Sequence, residues 1–197
     1  TVPNILTFGR ILLTPFFIIF LFYDHPYAKL WSLIIFIVAS ITDSFDGYYA
    51  RKYNQVSKEG QFLDPLADKI LVSSAFISFA IIGVIDYWMV SLIIFRDLFI
   101  TGLRVAMSQK GLEMVTSNLA KAKTTTQLVI IIFTLIILSL NGFSVNWLYS
   151  FLELAQKYDL VYVFTFLVTI FTVYTGLNYL YTNKSAINSF LKINGSH

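Results

Sequence analysis

The sequence has no cysteine, which excludes disulfides, thiolate metal ligands and a cysteine nucleophile. It is also poor in charge: only 13% of its 197 residues are Asp, Glu, Lys or Arg, fewer than the surface of a soluble domain needs. The net charge of +3 is small, and no cluster of Lys and Arg is dense enough to follow a nucleic-acid backbone. We therefore expect no nucleic-acid partner. Internal repeats and low-complexity linkers are absent as well, which favours a single domain over residues 1–197.

Hydrophobic residues are abundant instead, at 57% of the chain with 19 phenylalanines, so lipid is the expected surrounding for most of it. The alternating polarity of a membrane barrel is missing, and long apolar segments in lipid must therefore form helices. The pattern predicts an all-α integral membrane protein with six transmembrane helices and a cytoplasm-facing polar cavity between helices two to five. The six predicted spans are 5–23, 28–50, 62–84, 87–107, 122–142 and 160–182.

The distribution of basic residues predicts the orientation, because Lys and Arg accumulate in cytoplasmic loops. With the N-terminus inside, the outer loops hold only Lys29 and Lys157, so we expect both termini and the active site on the cytoplasmic side. We expect segment 143–159 at the outer interface, and no cleavable signal peptide at the N-terminus. The predicted inner loops and tail hold eight basic residues: Arg51, Lys52, Lys58, Lys110, Lys121, Lys123, Lys184 and Lys192.

Charged residues also interrupt the apolar segments, where each costs about 3 kcal/mol or more unless it lines a polar cavity. Asp43 and Asp46 are three residues apart at the end of the second predicted helix, and Asp64 and Asp68 are four apart at the start of the third. Each pair therefore shares a helix face, and the four carboxylates are expected to converge. The full set of charges is Asp43, Asp46, Asp64, Asp68, Lys69, Arg96, Asp97 and Arg104.

A cluster of carboxylates alone suits hard cations, so we expect two Mg²⁺ or Mn²⁺ ions rather than zinc. A basic set is expected opposite, and carboxylate-bound metals facing guanidinium and ammonium groups suit a phosphorylated substrate. Small residues keep the space beside the carboxylates open for a nucleotide. The basic set is Arg96, Arg104, Lys121 and Lys123, and the small residues are Gly47, Ala50 and Gly60.

The residues Asp43, Asp46, Gly47, Ala50, Arg51, Gly60, Asp64 and Asp68 spell D-x2-D-G-x2-A-R-x8-G-x3-D-x3-D. This pattern resembles the signature of the CDP-alcohol phosphotransferase family at every position. The resemblance implies a metal-dependent transfer in which CMP leaves and an alcohol oxygen attacks the β-phosphate. It implies that Asp43, Asp46 and Asp64 bind metals, that Asp68 is a ligand, the base or both, and that the protein is a homodimer.

Other stretches resemble the phosphatidylglycerophosphate synthases of that family. They are Pro3-Asn4-Ile5-Leu6-Thr7 with Arg10, Phe62 to Lys69, Thr101 to Arg104, and Lys121-Ala122-Lys123-Thr124 with Gln127 following. The resemblance implies CDP-diacylglycerol and sn-glycerol 3-phosphate as substrates, in a membrane lipid setting. It implies that Arg96, Arg104, Lys121 and Lys123 hold the acceptor phosphate. Asn4 and Thr7 would join Asp43, Asp46, Gly47, Ala50, Arg51 and Gly60 in binding CDP.

Two positions depart from those synthases and leave other acceptors open. Ala120 stands where they usually have Gly, and Asp97 stands where they usually have Glu. The Arg96-Asp97 pair also resembles cardiolipin synthases of the same family, and serine or inositol remain alternative acceptors. Arg96 and Asp97 could instead form an ion pair that packs helices, although neighbours in sequence are not expected to face each other. A transporter is the alternative from another class, but the inverted repeats typical of many transporters are not visible.

Overall fold

The computed structural model describes the backbone of residues 2–52, 58–112, 114–115, 118–140 and 146–194. It describes the side chains of residues 9–42, 69–112, 114–115, 119–140 and 150–191. Over this part of the chain the structure is entirely α-helical, without strands, as the sequence predicts. The helices are α1 Val2–Phe22, α2 Ala28–Lys52, α3 Lys58–Ile82, α4 Tyr87–Gln109, α5 Asn118–Leu140, α6 Asn146–Lys157, α7 Leu160–Thr182 and α8 Lys184–Asn194.

Each of the six predicted spans overlaps a separate helix, α1 to α5 and α7; the first and third spans extend one and two residues past the helix end, and the fifth extends beyond the described residues at Leu140. The two additional helices, α6 and α8, are short, with 12 and 11 residues. The hydrophobic pattern predicts no helix in either region, because neither contains an apolar run long enough to cross a bilayer. Within the described residues, two helices are long and apolar enough to do so, Leu119–Leu140 and Leu160–Thr182, while Gly9–Phe22, Ala28–Thr42 and Lys69–Ile82 are shorter apolar stretches.

Glycines in the left-handed conformation end α3 and α4 at Gly83 (φ 85°) and Gly111 (φ 72°). At the end of α4, the Gly111 N–H donates to the Ser108 carbonyl and the Leu112 N–H donates to the Met107 carbonyl, both at 3.0 Å. At the end of α3, the Gly83 N–H donates to the Ala80 carbonyl and the Val84 N–H donates to the Phe79 carbonyl, both at 3.1 Å. This arrangement satisfies carbonyls that the helix leaves open, and a residue with a Cβ adopts it only with strain.

The apolar core lies where α1 packs on α2 and α3, and where α5 packs on α2. Phe17 of α1 and Phe36 of α2 are fully buried, with their ring centroids 5.6 Å apart. α4 packs on α3 and α7, and α7 also packs on α5. The helices α4, α5 and α7 therefore form one side of the bundle, and α3 connects that side to the core.

Helix α7 has the reverse of the polarity expected for a helix in water. Its buried side chains include Thr165, Thr169, Thr172 and Thr175, which share one stripe with Gly176. Its exposed side chains are mostly large and apolar, which is expensive in water and favourable in lipid. The exposed set comprises Tyr162, Val163, Phe164, Phe166, Leu167, Ile170, Tyr174, Leu177 and Tyr181. The helix is thus built for an apolar surrounding.

Asn183, directly after α7, connects this helix to the chain between α4 and α5. Its Oδ1 accepts from the Val115 N–H at 2.9 Å, and its Nδ2 donates to the Val115 carbonyl at 3.3 Å and to the Tyr179 carbonyl at 2.9 Å. Asn183 is buried, so these bonds are shielded from water. The side chain therefore holds the connection that leads into α5.

We expect Asn183→Ala to release the Val115 amide, because the substitution removes its hydrogen-bond acceptor. Hydrogen exchange of that amide should become roughly five- to tenfold faster, the scale of one hydrogen bond. Exchange measured by mass spectrometry or NMR on the protein in detergent tests this. Asn178→Ala on the same helix is the matched control and should leave Val115 unchanged. Unaltered exchange in Asn183→Ala would show that the connection is held by other contacts.

Candidate functional site

A buried ion cluster centres on Asp97, near the middle of α4. The Lys123 Nζ on α5 lies 2.7 Å from both Asp97 carboxylate oxygens. The Arg96 Nη1 lies 3.0 Å from Asp97 Oδ1, and the Lys69 Nζ on α3 lies 3.9 Å from Oδ2. The cluster therefore joins three helices through one carboxylate.

Because the cluster is buried, the Asp97 carboxylate is needed to compensate the positive charges around it. Asp97 is 4% exposed and Lys123 only 1% exposed, so neither charge is solvated by water. A buried charge that loses its partner costs several kcal/mol, and the two contacts from Asp97 supply the compensation for Lys123. Arg96 adds a second cation to the same carboxylate, so these three residues together keep a formal charge of +1.

The contact between Arg96 and Asp97 contradicts the expectation that neighbours on a helix do not face each other. Their Cβ atoms do diverge, but the long side chain of Arg96 spans the difference, and its guanidinium reaches Asp97 Oδ1. This contact is consistent with the alternative interpretation of Arg96 and Asp97 as an ion pair inside the bundle. Lys123 contacts the same carboxylate, so the pair is part of a larger ion cluster.

Helix α7 supplies polar contacts to the same region. The Arg96 Nη2 donates to Thr175 Oγ1 at 3.2 Å, and the Gln127 Nε2 donates to Thr172 Oγ1 at 3.5 Å. Gly176 lies against the Arg96 side chain. The Arg96 Nε–H is buried and has no hydrogen-bond partner among the described residues. The guanidinium is therefore held from two sides and keeps an unused donor.

The structure brings together two of the four residues predicted to hold a phosphate, Arg96 and Lys123. Arg104 on α4 and Lys121 on α5 are both exposed, and within the described residues the ion pairs of Asp97 are formed by Lys69, Arg96 and Lys123 instead. Sequence reasoning did not assign Thr175 and Gly176 to the site. The sequence feature that could have indicated them is the series of polar and small residues at helical spacing in the otherwise apolar segment 160–182.

The predicted metal and nucleotide residues lie on α1, α2 and α3, but their side chains lie outside the described residues. They are Asn4, Thr7, Asp43, Asp46, Gly47, Ala50, Arg51, Gly60, Asp64 and Asp68. Helix α2 runs through both Asp43 and Asp46, and α3 runs through both Asp64 and Asp68, so each pair has the helical spacing that puts it on one face. Among the described side chains, no group of three acidic or histidine residues could hold a metal ion.

Lys69 connects the ion cluster to the predicted carboxylates. It directly follows Asp68 in the sequence, and its Nζ lies 3.9 Å from Asp97 Oδ2. The cationic cluster and the end of the acidic signature are therefore neighbours along α3.

Comparison with known proteins gives a consistent result. The model of the CDP-alcohol phosphatidyltransferase family matches residues 1–174. Three curated relatives are named CDP-diacylglycerol–glycerol-3-phosphate 3-phosphatidyltransferase. The protein from Cereibacter sphaeroides is 42% identical over 66% of this chain and 61% of its own length. The protein from Bacillus subtilis is 42% identical over 64% of this chain and 72% of its own length. The protein from Rickettsia bellii is 36% identical over 90% of this chain and 92% of its own length. The match thus spans less than two thirds of the Cereibacter relative.

We expect Asp97→Asn to destabilise the protein strongly, because it removes the charge that compensates buried Lys123. The free energy of unfolding should fall by about 3 to 5 kcal/mol, the usual scale for breaking a buried ion pair. Thermal or denaturant unfolding in detergent measures this. Asp24→Asn, which neutralises an exposed carboxylate between α1 and α2, is the matched control and should change little. Equal stability of the two variants would contradict the compensating role of Asp97.

Proposed function

The chain belongs to the CDP-alcohol phosphatidyltransferase family, and we propose that it transfers a phosphatidyl group from CDP-diacylglycerol to sn-glycerol 3-phosphate. The products are phosphatidylglycerophosphate and CMP. The names of the three relatives support this acceptor.

The observation that carries the proposal is the cationic cluster at Asp97. Arg96 and Lys123 share one buried carboxylate, and an anionic ligand would neutralise the remaining positive charge. The Arg96 Nε–H is a buried donor without a hydrogen-bond partner among the described residues, so the guanidinium retains hydrogen-bonding capacity. Serine and inositol carry no phosphate and do not need such a cluster. A phosphorylated acceptor is therefore the chemistry that fits best.

Arg104 and Lys121 complete the proposed set of phosphate-binding residues. Both side chains are exposed, which leaves them accessible to a dissolved substrate. Lys123 is buried and the Arg96 side chain is only 12% exposed, so these two are the less accessible members of the set. We propose that the exposed pair attracts the acceptor and that the less accessible pair holds its phosphate, since charge interactions are stronger away from water.

For the donor side, we propose that Asp43, Asp46, Asp64 and Asp68 hold two Mg²⁺ or Mn²⁺ ions. The unbroken helices through both pairs support this donor set, and carboxylate oxygens suit these ions. Such ions, when bound, neutralise phosphate charge. Asn4, Thr7, Gly47, Ala50, Arg51 and Gly60 would bind CDP together with Asp43 and Asp46.

Asp68 is the proposed base of the reaction. It would accept the proton of the acceptor hydroxyl as that oxygen forms a bond to the β-phosphorus of CDP-diacylglycerol. The bond between the β-phosphorus and the oxygen of CMP breaks, and CMP leaves. Lys69, the next residue, contacts the cluster at Asp97, which supports a phosphate site close to this base.

We propose that α1 to α5 and α7 cross the bilayer, with both termini and the active site on the cytoplasmic side, and that the protein is a homodimer. Helices α6 and α8 are too short to cross and would lie at the surface. At the turn before α4, Asp86 accepts hydrogen bonds from Trp88 Nε1 at 3.1 Å and from the Tyr162 hydroxyl at 3.0 Å. Trp and Tyr favour membrane interfaces, which supports an outer boundary there.

The acceptor is tested by incubating the purified protein with CDP-diacylglycerol and one alcohol at a time. We expect phosphatidylglycerophosphate and CMP with sn-glycerol 3-phosphate, and no lipid product with serine or inositol. Mass spectrometry identifies the lipid and chromatography quantifies CMP. Cardiolipin formed from phosphatidylglycerol, with glycerol 3-phosphate unused, would overturn the acceptor and keep the family reaction. If no alcohol gives a lipid product and no CMP is released, the transferase reaction is contradicted and a transporter is favoured instead.

The roles of the carboxylates are tested by comparing Asp43→Asn with Asp68→Asn. Both should lose turnover, Asp68→Asn by at least about a hundredfold, the scale of losing a general base. CDP binding should weaken much more in Asp43→Asn, because that residue is the proposed ligand in both metal and nucleotide binding. Equilibrium binding of CDP with Mg²⁺ and with excess chelator measures this.

Wild-type protein in excess chelator is the control for these variants. It should lose both CDP binding and activity, and Mg²⁺ or Mn²⁺ should restore them. Full turnover in chelator would exclude the metal-dependent reaction. If Asp68→Asn loses CDP binding as severely as Asp43→Asn and retains turnover, Asp68 is a ligand and not the base.

A further inference from the structure

We propose that Thr175 and Gly176 of α7 are positioning residues that hold the Arg96 guanidinium in the orientation that binds the acceptor phosphate. This inference rests on the proposed function. Both residues lie beyond residue 174, where the match to the family model ends. Their assignment comes from their contacts with Arg96, on a helix 79 residues away in the sequence.

The hydroxyl of Thr175 is oriented to accept from Arg96. Its own proton is donated to the Thr172 carbonyl at 2.9 Å, so its lone pairs face outward from that bond. Arg96 Nη2 donates to this oxygen at 3.2 Å, while Arg96 Nη1 donates to Asp97 Oδ1 at 3.0 Å. The two ends of the guanidinium are therefore fixed by different helices, α7 and α4.

Gly176 provides the space that this orientation needs. A Cβ at this position would lie 2.9 Å from Arg96 Cγ and 3.1 Å from Arg96 Nε. The Cγ is close to the backbone, so it cannot move away unless the whole side chain changes its rotamer. At Gly9, Gly83, Gly102 and Gly111, by contrast, an added Cβ would meet no described atom within 4 Å. Gly176 is thus distinguished by its contact with Arg96.

The orientation matters because a guanidinium binds phosphate through hydrogen bonds in a fixed planar geometry. A guanidinium that rotates freely would lose part of this bonding to the acceptor. It would not alter the residues proposed to bind CDP on α1, α2 and α3. The expected signature is a higher KM for sn-glycerol 3-phosphate, with little change in kcat or in the KM for CDP-diacylglycerol.

The hydroxyl is tested with Thr175→Val, which keeps the shape and removes the acceptor. We expect the KM for sn-glycerol 3-phosphate to rise about tenfold, the scale of a hydrogen bond to a charged group. Thr175→Ser should restore it. Thr169→Val is the matched control, because Thr169 is equally buried on α7 and donates to its own helix, at the Thr165 carbonyl. A KM raised equally by both valine variants would overturn the proposal.

Gly176→Ala tests whether the space beside Arg96 is needed for acceptor binding. The same substitution in Arg96→Ala protein tests whether its effect on the acceptor KM depends on Arg96. Alone, Gly176→Ala should raise the acceptor KM about tenfold or more; in Arg96→Ala protein it should add nothing, since interacting residues are not additive. Additive effects would show that Gly176 acts only on packing and would overturn the proposal. If wild-type protein uses another acceptor, the proposed function fails first. The same variants are then measured with that acceptor, and an unchanged KM overturns the positioning role separately.

Discussion

The described site depends on the ion pair between the Lys123 ammonium group and the Asp97 carboxylate, both of which are buried. A charge in an apolar bundle is tolerated only where its partner is fixed, and fixing the partner also fixes the helices that carry both. α4 and α5 are joined directly in this way, and Lys69 extends the contact to α3. The excess of cations over carboxylate then makes the interior receptive to an anion. In the proposed reaction, helix association and substrate binding would use the same charges.

The acidic signature and the cationic cluster occupy different helices, but α3 carries a part of both. Asp68 ends the signature, and Lys69 turns toward Asp97. Consecutive residues on a helix point in directions about 100° apart, so neighbouring residues of one helix can belong to two different clusters at the same height. In the proposed reaction, this would place the base beside the acceptor phosphate without any loop between them. A rigid helix positions such groups better than a flexible connection does.

The helices and the acidic signature could be predicted from the sequence, because both depend on spacing along a single segment. The short helices α6 and α8 were missed since they lack long apolar runs. The contact of Arg96 with Asp97 was not expected, because Cβ directions alone do not describe a side chain as long as arginine. The role of Thr175 depends on how α7 packs against α4, and no local pattern contains that information. The carboxylate signature remains a prediction at the level of side chains.

The threonine stripe of α7 has a consequence for how the chain is assembled in a membrane. The hydroxyls of Thr169 and Thr175 bond to carbonyls of their own helix, so α7 can enter lipid alone with those groups satisfied. Helix α5 has no such independence, since the buried ammonium group of Lys123 finds its carboxylate, Asp97, on α4, whereas Asp97 also contacts Arg96 on its own helix. In the proposed topology, a stable position of α5 in lipid would therefore depend on its pairing with α4, whereas α7 could be inserted before it packs on the other helices.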